Sequence, residues 1–163
     1  EWSETNLRSH VETFGVDPSR LIFASRVPMD EHLARHKLAD LFLDTFTYNA
    51  HTTATEALWT GLPVVTKAGK GFSARAAASL LTAAALPELI TETEQEYEEL
   101  ILHLASNPGR LAQVRKKLAD NRLSTPLFNT ERYTRHIENG YEQAYQRYFD
   151  GKLPRTIVVS ENC

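Results

Sequence analysis

The chain has 163 residues, 42% hydrophobic and 24% charged, the proportions of an ordinary soluble globular domain with enough length to bury a core. A formal charge of -3 excludes a nucleic-acid surface held by bulk electrostatics, and no apolar run is long enough to span a bilayer as a helix. The single cysteine, Cys163, leaves no intrachain disulfide to form.

Taken in order, the pattern alternates helices with short apolar strands. Residues 4 to 14 are expected to be helical, and Leu21-Ile22-Phe23-Ala24 to form a buried strand. Asp30 to Ala39 follows Pro28 with an acidic first turn and predicts a short helix. Leu41-Phe42-Leu43 predicts a second strand ending at Asp44. A helix from about Thr53 to Trp59 stops at Gly61, and Pro63-Val64-Val65-Thr66 predicts a third strand. Ser73 to Leu86 is a longer helix, and Leu89-Ile90 a brief fourth strand. Apolar strands between helices are what a parallel sheet covered on both faces requires, so the fold class is α/β with a Rossmann-like sheet.

Beyond Glu94 the periodicity is wholly helical. Tyr97, Leu100, Ile101 and Leu104 mark one helix, Asn107-Pro108-Gly109 breaks it, and Leu111, Val114 and Leu118 mark another. In the connector STPLFNT, Asn129 or Thr130 can cap the next helix. Tyr133, Ile137, Tyr141, Tyr145 and Tyr148 form a stripe expected to pack in the core. The organisation expected is a Rossmann-like α/β part over 1–93, packed helices over 94–152 and a tail over 153–163.

The most informative stretch is YNAHTTATEALWTGLPVVT, residues 48 to 66. In doubly wound sheets ligands bind beyond the carboxyl ends of the strands, where the following helices begin. Asn49 to Glu56 occupies such a position. A helix start offers unpaired N–H groups and partial positive charge, which suit a phosphate, and His51, Thr52 and Thr53 could add donors. The local grammar also fits a capping box, Thr53-Ala54-Thr55-Glu56, in which Glu56 reaches back to a backbone N–H. Two further loops are polar: SRVPMDEHLARH, with Arg26, His32 and Arg35, and TKAGKGFSAR, with Lys67, Lys70 and Arg75. There is no GxGxxG, CxxC, HExxH or GxSxG, so dinucleotide, metal and serine-hydrolase chemistry lack sequence support.

The segments ADLFLDTFTYNAHTTATEALWTGLPVVT, SARAAASLL and STPLFNTERYT, in that order, resemble the C-terminal part of the TPR-bearing, SPINDLY-like O-linked N-acetylglucosamine transferases of the GT-B fold. The resemblance runs from about Arg20 to Lys152. It implies a donor, UDP-N-acetylglucosamine, whose diphosphate would meet His51, Thr52 and Thr53, with Glu56 on the ribose hydroxyls. His32 would pack near the uridine, the backbone around Val27 would read the uracil edge, and Arg35 would stand close by. Met29 stands where animal members have lysine, Ala50 where the family has glycine in Asn-Gly-His-Thr-Thr, and Glu56 where aspartate is frequent.

The resemblance further implies transfer to Ser or Thr hydroxyls of proteins in the cytoplasm, with no metal and no other cofactor, no nucleic acid and no membrane. A related transferase using UDP-glucose or another acceptor, and an inactive nucleotide-sugar-binding scaffold, are the competing readings. The opening Glu-Trp-Ser, without an initiator methionine, leads us to expect a piece of a larger protein. Catalytic groups are expected outside it, so this chain alone should be inert. Its first strand, without a neighbour, should invite pairing with a second copy.

Overall fold

A computed structural model of the chain describes residues 2–160. The described residues divide into two compact units between His32 and Leu33. Cys163 lies outside the described residues.

In the first unit, α1 (Trp2–Thr13) is followed by a 3-10 turn, Pro18–Arg20, and an extended stretch. The Arg8 guanidinium donates to the Pro18 carbonyl and lies 5.0 Å from the Phe23 ring centroid. The strand expected at Leu21 to Ala24 does not form. No described strand pairs with it, and Ile22 is 90% exposed. Without a strand there, the edge that was to pair with a second copy has no basis. The next helix, α2 (Met29–Arg35), runs into a 3-10 turn at His36–Leu38.

The second unit carries a three-stranded parallel sheet in the order β1 (Phe42–Leu43), β2 (Val64–Lys67), β3 (Ile90–Thr91). Phe42 pairs with Val64 and Leu43 with Val65, while Thr66 pairs with Ile90 and Lys67 with Thr91. Val64, Val65 and Thr66 are completely buried, as a central parallel strand requires. The helices α3 (Thr52–Thr60), α4 (Ala76–Ala83) and α5 (Glu94–Ser106) all pack on β2. The expected α/β class, a parallel sheet with flanking helices, is what the chain adopts.

The core joins Leu58 of α3, Leu81 of α4, Leu86, Leu89, Leu104 of α5, and Val114 and Leu118 of α6 (Pro108–Asn121). Each such side chain contributes about 1.5–3 kcal/mol on burial. Gly61 ends α3 at φ 88°, and the bonds Gly61 N–H to Leu58 O and Leu62 N–H to Ala57 O close a Schellman motif. That turn drops the chain directly into β2.

The last helix, α7 (Thr130–Phe149), starts at Asn129, whose side chain accepts from the Arg132 N–H at 2.9 Å. The stripe expected in the core lies outside it: α7 has no buried residue, and Tyr141 is 72% exposed. Periodicity had located an apolar face correctly, but not what covers it. The tail turns back along this helix, with Arg147 Nε donating to Leu153 O at 2.6 Å and Val159 beside Gly140.

Two polar arrangements shape the carboxyl edge of the sheet. Asp44, buried at the end of β1, accepts from Thr45 N–H (2.9 Å), Ala50 N–H (2.6 Å) and the Thr66 hydroxyl (2.6 Å). The Tyr97 hydroxyl of α5 donates to the Asp44 carbonyl at 2.8 Å. After β2, Gly69 N–H donates to Ala74 O at 2.7 Å, so closely that a Cβ at Gly69 would sit 2.5 Å from Ala74 Cβ.

Gly69→Ala is therefore expected to destabilise the chain by about 1–3 kcal/mol, measured by urea unfolding. Burial, followed by the Asp44 carboxylate, pushes the Tyr97 hydroxyl from 10.0 up to about 12. The folded chain thus holds a proton that the unfolded chain releases first. The associated stability is complete below the unfolded pKa and is lost as pH rises through the folded one. Between about pH 10 and about pH 12 the unfolding free energy should fall, and fall less in Tyr97→Phe. Equal slopes in the two proteins would contradict this.

Candidate functional site

The carboxyl ends of β1 and β2 each open into a polar loop, and the β1 loop delivers the chain to the start of α3. The N-cap residue is His51, at φ -103° and ψ -90°, and it makes no side-chain capping bond. Thr55 N–H, bonded to His51 O at 3.1 Å, is the first amide of the helical ladder. The amides of Thr52, Thr53 and Ala54 precede it and have no intrahelical acceptor. Thr52 and Thr53 are exposed here, while Glu56 is half-buried one turn further on.

The capping box expected at Thr53 is absent. The helix begins at Thr52, two residues earlier than a box at Thr53 requires, so Thr53 lies inside its first turn and Glu56 lies past the N3 position. A true capping box occurs on α5, where Thr93 accepts from Glu96 N–H at 3.1 Å. The Glu96 carboxylate accepts from the Glu92 and Thr93 amides at 2.9 and 3.1 Å, and these bonds hold it below the usual carboxylate range.

The helix start is fixed by what precedes it. Asp44 holds Ala50 N–H, Asn49 is buried with its amide on Ser73 O at 2.8 Å, and its side chain donates to Thr45 O at 2.9 Å. Thr47 sits at φ 69° in the same loop, with the Ser73 hydroxyl donating to its carbonyl at 3.3 Å. Tyr48 and Phe72, given no role from the sequence, flank His51. Their loops meet only because β1 and β2 are neighbours. A cleft of about 470 Å³ opens here, lined by His51, Thr52, Thr55, Phe72, Ser79 and Leu80 among others.

The basic loop after β2 is largely engaged within the protein. Lys67 pairs with Glu94 at 2.8 Å and lies 4.2 Å from the Phe46 centroid, and Arg75 donates to Gly69 O at 2.9 Å. Lys70 is exposed beside them, on a cleft of about 840 Å³ that also includes Glu92. The three polar loops expected at one sheet edge reduce to two, because the segment before α2 follows no strand.

Of the residues singled out from the sequence, His51, Thr52, Thr53 and Glu56 come together at the start of α3. Arg35 is half-buried at the end of α2, in the second unit. Val27 and His32 are half-buried in the first unit, with His32 N–H bonded to Pro28 O at 2.9 Å. No three His, Cys, Asp or Glu side chains gather as a metal would need among the described residues. No described helix is long and apolar enough to cross a membrane.

The model of glycosyl transferase family 41 matches residues 1–137. The chain is 37% identical, over 91% of its length, to the UDP-N-acetylglucosamine--peptide N-acetylglucosaminyltransferase of Caenorhabditis elegans. It is 36% identical, over 98%, to the probable enzyme of that name designated SEC in Arabidopsis thaliana, and 35% identical, over 90%, to the probable SPINDLY enzyme of Hordeum vulgare. It spans 13%, 16% and 16% of these relatives, in that order. A solved mutant of the Thermobaculum terrenum O-GlcNAc transferase superposes with a TM-score of 0.81 at 36% identity, covering 86% of this chain and 27% of that one. With the helix start, the parallel sheet and the order of the sequence segments all in agreement, the chain belongs to glycosyl transferase family 41.

Proposed function

We propose that the chain is the donor-binding part of a transferase that moves N-acetylglucosamine from UDP-N-acetylglucosamine to Ser or Thr hydroxyls of proteins. The observation that carries this reading is the uncapped start of α3, with exposed Thr52 and Thr53 beside His51. The names of the curated relatives supply the donor and a peptide acceptor.

In the proposed role the diphosphate receives the amides of Thr52, Thr53 and Ala54 and the two threonine hydroxyls, at the positive end of the helix dipole. As an acceptor hydroxyl bonds to the anomeric carbon and releases its proton to solvent, the bond from that carbon to the diphosphate oxygen breaks and UDP leaves with the electron pair. The fixed donors then stabilise the charge that develops on the leaving oxygen. Glu56 is proposed for the ribose hydroxyls. Val27, His32 and Arg35 are proposed for the nucleoside on the resemblance alone. No catalytic acid or base is assigned within this chain.

Donor binding is further proposed to need no metal, since the amides and hydroxyls supply the stabilisation of the leaving group. The cytoplasm is the compartment proposed, where the nucleotide sugar and protein hydroxyls would meet.

Isothermal titration of the complete polypeptide tests the reading. Thr52→Ala with Thr53→Ala is expected to weaken UDP by about tenfold or more, the scale of hydrogen bonds lost to a charged group. Unchanged affinity would remove the phosphate role. UDP-N-acetylglucosamine is expected to bind more tightly than UDP-glucose. EDTA should leave the titration unaltered, and a loss of binding on chelation would contradict metal independence.

A further inference from the structure

The Tyr48 ring lies parallel to the His51 imidazole, with centroids 5.0 Å apart and planes 9° from parallel. Phe72 meets the same imidazole edge-on at 5.9 Å and 89°. Both aromatic rings are otherwise in the open, Tyr48 at 66% and Phe72 at 85% exposure. Exposed aromatic residues on two loops gain little from burial. Their shared contact is the histidine that begins the candidate phosphate site.

The loop around Tyr48 is built to hold it. The Thr45 hydroxyl donates to Tyr48 O at 2.8 Å, and the next amide, that of Asn49, is bonded to Ser73 O. Ser73 therefore ties the loop carrying Tyr48 to the one carrying Phe72. His51 Nε2 stands 3.5 Å from that same Ser73 carbonyl, an acceptor only, so the contact favours the ring form with its proton on Nε2. An imidazole at a bare helix start would otherwise turn freely about its side-chain bonds, and ordering it would oppose ligand binding.

We propose that Tyr48 is a positioning residue for the donor diphosphate: by stacking on His51 it fixes the imidazole beside the free amides of α3, with Phe72 as the second wall. This rests on the phosphate role proposed above for the α3 start. Tyr48 acts through His51 and not through its own hydroxyl, so the aromatic ring is what matters.

A double-mutant cycle read by isothermal titration of the complete polypeptide with UDP separates this from direct contact or simple damage. Tyr48→Leu is expected to weaken UDP by about three- to tenfold, the scale of an aromatic pair, while Tyr48→Phe stays within about twofold. His51→Ala should weaken UDP at least as much as Tyr48→Leu. Adding Tyr48→Leu to His51→Ala should then cost nothing more. Phe72→Leu, a second truncation on the other loop, should follow the same non-additive pattern. Melting temperatures should be unchanged, since Tyr48 and Phe72 are mostly exposed.

Additive losses in the double variant would show that Tyr48 acts independently of His51 and would overturn the proposal. So would unchanged affinity in Tyr48→Leu when Thr52→Ala with Thr53→Ala weakens UDP. If Thr52→Ala with Thr53→Ala left UDP binding unchanged, the phosphate reading itself would fall, and this proposal with it.

Discussion

The carboxylate of Asp44 is the constraint on which the carboxyl edge of the sheet depends. A buried carboxylate is costly unless hydrogen-bonded, and this one has three donors from three directions. The Thr66 hydroxyl ties β1 to β2 beyond their two-residue pairing. The amides of Thr45 and Ala50 close the intervening loop into a fixed bend. Thr91 extends the same chain to β3 by donating to Thr66 O at 3.0 Å, and Tyr97 adds α5 through the Asp44 carbonyl. One side chain thereby sets the distance between the sheet and the residue before His51. With strands of two to four residues, the ladder alone supplies too few bonds to fix that loop.

The helices α3 and α5 show how differently two starts can be treated in one chain. At α5 the orphan amides are satisfied reciprocally by Thr93 and Glu96, an arrangement whose cap is worth about 1 kcal/mol. At α3 the residue before the helix is a histidine that caps nothing. Leaving those amides open is unfavourable for the isolated fold. The sheet edge tolerates it because Ala54, Ala57 and Leu58 anchor the helix in the core, and the Schellman turn at Gly61 secures its other end. Stability comes from the buried face and the far end, and the near end is free for a ligand.

Much of this was legible in the sequence, for reasons that also explain what was not. The run that became β2 was readable because a parallel strand covered on both faces is continuously apolar, and the short runs at β1 and β3 because they are apolar breaks between helical patterns. The run Leu21 to Ala24 looked the same, but a strand exists only with a partner, and composition cannot supply one. The stripe on α7 is real as a periodicity, yet period fixes a face and not its neighbour. The capping box failed by two residues of register, the N-cap being His51 and not Thr53, which no local motif encodes. His51, Thr52, Thr53 and Glu56 emerged as a group because they share a single helix start. Tyr48 and Phe72 did not, since their contact with His51 crosses two loops and needs the pairing of β1 with β2.

The charges at this edge sharpen the chemistry proposed for it. The sequence placed Lys67, Lys70 and Arg75 in one loop, an arrangement that would ordinarily attract an anion through formal charge. Lys67 is instead neutralised by Glu94 and covered by the Phe46 ring, and Arg75 is spent on the Gly69 carbonyl, which holds the loop closed. In the proposed role, attraction at the α3 start therefore comes from oriented amides and hydroxyls more than from mobile cations. Dipoles held in place need little rearrangement as charge moves onto a leaving phosphate, whereas flexible lysine heads would have to be desolvated and ordered. Of these cations Arg75 alone bonds to the loop's own backbone, at Gly69 O, while Gly69 N–H holds Ala74 O and Ser73 O receives the Asn49 amide of the loop that presents His51.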